Sequence, residues 1–121
     1  MKTFKLILTL LILLSLTNKI KSQVSQQWAV SYNSPTNGID RPVAMTVDNY
    51  GNIYLTGESS ASSTNKDYAT VKYNSAGVQQ WAARYHNPLG TNDIVRGMTV
   101  DVFGNVYVTG SNASGFMELV R

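Results

Sequence analysis

Asp48, Asn49 and Asn52 place three oxygen-donor side chains within one short stretch, a density at which a loop could begin to wrap calcium. Such an ion takes about six to eight oxygens, often with several carboxylates. The chain writes the same phrase twice, VDNYGNIYLTG at 47–57 and VDVFGNVYVTG at 100–110, and the second copy offers Val102 and Phe103 where further donors would be wanted. Asp48 and Gly51 persist as Asp101 and Gly104 while the residues between them change. That is the pattern of a type I turn, with Asp accepting backbone N–H groups at its first position and a glycine bulge at its last. These four residues are therefore read as structural, and no metal or cofactor is expected.

A second set is better placed for binding. Asp40 and Asp93 coincide when the two copies are overlaid, each in a loop that enters a strand, and Arg41 and Arg96 lie beside them. Loops held by a rigid scaffold often carry ligand contacts, so Asp40, Arg41, Asp93 and Arg96 are the candidate ligand-binding residues. The plainer role for the two aspartates is to accept backbone hydrogen bonds at the junction. No catalytic residue is assigned. His86 is the one histidine, and the serines of SSASST have no nucleophile elbow or base partner and read as a flexible hairpin loop. Trp28, Trp81, Tyr32 and Tyr85 could stack on a sugar, but their equivalent positions suit packing between repeats. Asn112-Ala113-Ser114 matches the N-glycosylation triplet, which is common by chance.

The elements that must position these residues begin after residue 22. The opening MKTFKLILTLLILLSLTNKIKS has a positive start, an apolar run from Leu6 to Leu16 and a short polar stretch, the layout of a secretory signal peptide. The run is short of the ~20 apolar residues that span a bilayer. The chain's pI of about 9.3 belongs to this segment. Past residue 22, six basic residues face seven acidic ones, and no Lys/Arg cluster is left to track phosphates. Nucleic acid is excluded as a partner, and a membrane is not expected after cleavage. The chain has no cysteine, which removes disulfides, thiolate metal sites and a Cys nucleophile. The expected location is secreted or extracytoplasmic: periplasm, cell surface or extracellular.

Residues 26–59 overlay residues 79–112 without a gap at an offset of 53, with 16 of 34 positions identical. Self-similarity at such a period marks a repeat architecture. One period, about 43–96, contains four short strands: PVAMTVD, NIYLTG, DYATVKY and QQWAARY, separated by DNYGN, the polar GESSASSTNK, NSAG and HNPLGTND. Gly57 and Gly110 read as strand ends. No window past the leader has convincing helical spacing. The expected class is all-β: tandem four-stranded antiparallel propeller blades, incomplete, in a repeat region of 23–112.

The phrase MTVDxxGNxYxTG resembles the SBBP-type bacterial β-propeller repeat family, which is similar to NHL-type propellers. The resemblance covers residues 26–112 and implies the propeller fold, without catalytic residues to carry over. Residues 113–121 depart from the repeat and read as an atypical tail. The second blade is expected to lack its third and fourth strands, with Gln26–Tyr32 a leading strand. Such a chain cannot close a ring alone, and a truncated piece of a longer propeller protein is favoured over an assembly of copies. The expected role is non-enzymatic binding or scaffolding. Alternatives are part of a propeller lyase or hydrolase domain, or a calcium-stabilised module. The partner is open, protein or carbohydrate, with self-association through open blade edges as a further option.

Overall fold

The computed structural model describes residues 25–62, 65–88, 90–115 and 117–121; the leader and its cleavage point lie outside the described residues. Seven strands and no helix occur among them. Four form one antiparallel sheet: β1 (Ile39–Val47), β2 (Ile53–Ser62), β3 (Asn65–Tyr73) and β4 (Gln79–Tyr85). Three form a second: β5 (Asp93–Val100), β6 (Val106–Asn112) and β7 (Met117–Val120). Both sheets are meanders with neighbours in chain order, as four-stranded blades require.

Opposite residues of an antiparallel pair share a face, so the register sorts each sheet into two sides. In the second sheet Met98, Val108 and Val120 form one row and Val100 and Val106 the next. This side packs on the side of the first sheet that carries Tyr68 and Tyr85. The core between the sheets is Tyr68, Val95 and Val108, ringed by Tyr85, Met98, Val106 and Val120. β5 lies against β1, β2 and β3. Within the first sheet Tyr54 meets Trp81 edge-on at 6.2 Å and Tyr68 tilts against Tyr85 at 5.7 Å, and Tyr85 also packs on the core between the sheets.

The first strand of each sheet carries a bulge at the same place, between Pro42 and Ala44 in β1 and between Val95 and Gly97 in β5. Each bulge presses a backbone carbonyl onto a glycine. A Cβ on Gly57 would collide with the Arg41 carbonyl, and one on Gly110 with the Ile94 carbonyl and the Tyr68 hydroxyl. Gly57 and Gly110 are thus sites of close backbone approach within strands that continue to Ser62 and Asn112, and not strand ends.

Three further expectations change. GESSASSTNK is not a long loop: strand pairing runs through Ser60 and Lys66, and Ser59 and Ser60 are buried. Ser63 and Thr64 of the tip lie outside the described residues. The second blade has a third strand, because its hairpin is four residues shorter: Val108 pairs with Val120, where Leu55 pairs with Val71. Residues 26–32, expected as a strand, carry no ladder. No described strand lies beside them to pair with, and they rest instead on the first sheet. There the Trp28 indole N–H donates to the Ser75 carbonyl at 3.1 Å and its ring covers Gly77.

Candidate functional site

The repeated turn is built twice in the same way. In the first copy Gly51 N–H donates to the Asp48 carbonyl at 3.0 Å, and Gly51 takes φ 77°. The Asp48 carboxylate then accepts four bonds: Tyr50 and Asn52 N–H on Oδ1, both at 2.9 Å, and the Asn52 amide (2.8 Å) and Tyr54 hydroxyl (3.1 Å) on Oδ2. In the second copy Asp101 accepts Phe103 and Asn105 N–H, the Asn105 amide and the Tyr107 hydroxyl, with Gly104 at φ 82°. The Asn amide foremost, with the backbone N–H groups and the Tyr hydroxyl, holds each carboxyl below its ordinary value and outweighs the desolvation that opposes it. A carboxylate filled in this way has no lone pair directed at an ion.

Asp40 and Asp93 do equivalent work one element earlier. Asp40 Oδ2 accepts Ser34 N–H at 2.9 Å and its Oδ1 accepts the Ser59 hydroxyl, while Asp93 Oδ2 accepts Asn87 N–H at 2.9 Å. Ser34 and Asn87 are themselves 53 residues apart, so each aspartate ties the incoming connector to its blade. Asp93 is fully buried. Arg41 is exposed opposite Glu58 and lines a cleft of about 310 Å³ with Tyr32, Asp40 and Leu55. Arg96 stands exposed in the β5 bulge, and neither it nor Asp93 lines that cleft. The four candidates fall into two separate places.

A charged cluster that sequence reasoning did not anticipate forms where β3, the end of β4 and the β4–β5 connector meet. Asp67 Oδ2 accepts Arg84 Nη2 and Asp67 Oδ1 faces His86 Nδ1, both at 2.8 Å. Arg84 also donates to the Ser59 hydroxyl at 2.7 Å, and Asp67 foremost raises its already high pKa. Asp67, His86 and Asp93 bring ligand-type atoms within 4.8 Å of one another. The guanidinium on Asp67 supplies the positive charge there, so the cluster is a hydrogen-bonded tie between β3, the β4–β5 connector and β5. Its members are 26 residues apart in sequence, and no spacing signal announces them.

An exposed apolar surface lies at the turn tips. The two repeated turns border a groove of about 570 Å³ lined by Asp48, Asn49, Tyr50, Asn52, Val102 and Phe103 among others. Tyr50 is 84% exposed, Phe103 87% and Val102 80%. Tyr50 and Phe103 occupy the same turn position in successive blades, so an aromatic ring stands at each tip, with the Lys72 ammonium at the groove's edge 5.0 Å from the Tyr54 ring.

No curated protein and no solved structure matches the chain. Residues 88–116, which hold β5, its turn and β6, match the family model described as SBBP, beta-propeller repeat. Over residues 88–116 the chain is thus similar to the SBBP beta-propeller repeat.

Proposed function

We propose that this chain is an exported, non-enzymatic propeller segment that binds a partner at its turn tips. The observation that carries the reading is the exposure of Tyr50, Val102 and Phe103 around one groove, while the aspartates of the same turns are consumed by the scaffold. Large aromatic groups on a rigid scaffold bind with little ordering cost. Export is supported by the leader-like composition of residues 1–22.

The test compares the full chain with a Tyr50→Ala/Phe103→Ala variant on immobilised polysaccharides and on an immobilised peptide library. The reading expects the wild type to be retained by one of these classes and the variant to be released. Retention of both proteins alike places binding elsewhere, and retention of neither by any probe removes the binding role. Cell fractionation tests export, with recovery solely from the cytoplasm as the contrary result.

A further inference from the structure

The chain exposes both halves of an interface that it also makes within itself. Inside the molecule, the Tyr54, Thr56, Tyr68 and Thr70 side of the first sheet is buried by the Met98, Val108 and Val120 side of the second. By register, Tyr107, Thr109, Met117 and Leu119 of the second sheet repeat the positions of those first four residues. Here Met117 is 93% and Leu119 73% exposed. Arg121 even lies over the Tyr107 ring, at 5.9 Å, as Lys72 lies over Tyr54. On the opposite end, Met45, in the same row as Leu55, repeats the position of Met98 but is 65% exposed, with Val43 and Val47 exposed beside it.

The strand inventory fits the same geometry. The first sheet has four strands and the second three, with β7 presenting a free edge among the described residues. Residues 26–32, QQWAVSY, repeat the fourth-strand sequence QQWAARY of 79–85. They lie where a preceding blade's fourth strand would lie, over the β2–β3 side of the first sheet, with Tyr32 beside Leu55, Ala69 and Val71. Among the described residues no other strands join them into a blade, and the three-stranded second sheet of another copy would do so.

We propose that copies of this chain associate head to tail: the β5–β7 sheet of one copy stacks on the exposed Val43, Met45 and Val47 side of the next, whose residues 26–32 pair along β7 as a fourth strand. The partner is a second copy of this chain, and each copy contributes strands for two blades. Carried over from the β3–β4 ladder, the register places Leu119 of one copy opposite Val30 of the next and Arg121 opposite Trp28. Such a contact is heterologous, so it closes into a ring when the rotation permits. Two to four copies give the about four to eight blades with which propellers close.

The absence of native cysteine makes a direct test available. Full chain carrying Val30→Cys is mixed with full chain carrying Leu119→Cys under oxidising conditions. A disulfide-linked pair is expected, and a Val102→Cys partner at the turn tip in place of Val30→Cys should give none. Light scattering on the wild type should report a discrete species of two to four copies, and Met45→Lys, a change at an exposed side chain, should convert it to monomer. A wild type that is monomeric, or cross-linking no greater than with the turn-tip control, overturns the proposal.

Discussion

The hydroxyl of Tyr54, a residue buried between the two sheets, donates to Oδ2 of Asp48 across 3.1 Å. One phenol thus belongs to the stack through its ring and to the turn through its oxygen, and the Asp101–Tyr107 pair repeats the bond at 3.2 Å. The Asp-x-x-Gly-Asn-x-Tyr phrase couples the local reversal of the chain to the packing of blades.

The carboxyls of Asp48 and Asp101 sit below their ordinary value of 3.8 in the folded chain. A depressed folded pKa contributes stability that is fully present above the unfolded value and lost as pH falls through the folded one. Denaturant midpoints measured from pH 7 downwards should therefore fall below about pH 4. The Asp48→Asn/Asp101→Asn variant should start lower at pH 7 and lose less over the same window. A variant whose midpoint tracks the wild type throughout would remove the carboxylates from the stability account.

Gly110→Ala should destabilise the fold by about 1–3 kcal/mol or more, because its methyl enters the Ile94 carbonyl and the Tyr68 hydroxyl. Gly97→Ala is the matched control, since a Cβ there meets nothing closer than the Thr109 methyl at 3.9 Å. Its effect should stay within about 0.5 kcal/mol. Equal losses in urea unfolding would mean that backbone freedom, and not the close approach, decides both positions.

Tyr50→Ala/Phe103→Ala should leave the unfolding free energy within about 0.5 kcal/mol of wild type, as expected for surface changes away from caps and cores. Both side chains are more than four-fifths exposed. A large drop in the thermal midpoint would show that the tips pack against something and are not a free rim.

The strands and turns were legible because period-two apolar patterning and Asp/Gly turn chemistry are local. Two written copies also made chance visible: Asn49 and Tyr50 change to Val102 and Phe103 while Asp and Gly stay. Polar strands were not legible. Ser59 and Ser60 look like loop residues, yet they are buried in the β2–β3 ladder, with Asp40 and Arg84 satisfying the Ser59 hydroxyl and the Ile39 carbonyl that of Ser60. The bulges hid the role of Gly57 and Gly110, since the carbonyl that fills the glycine's space comes from the neighbouring strand. The third strand of the second blade was missed by assuming constant spacing, where a hairpin four residues shorter restores Val120 to the core position of Val71. Of the candidate site, the aspartates were found by repetition, but their partners Ser34 and Asn87 became visible only in three dimensions.

The claim that the repeated aspartate turn is scaffold and not an ion loop is tested most directly by thermal unfolding of the full chain in millimolar calcium and in excess chelator. With both carboxylates filled by their own turns, the two midpoints should coincide. A midpoint raised by calcium and lowered by chelator would contradict it.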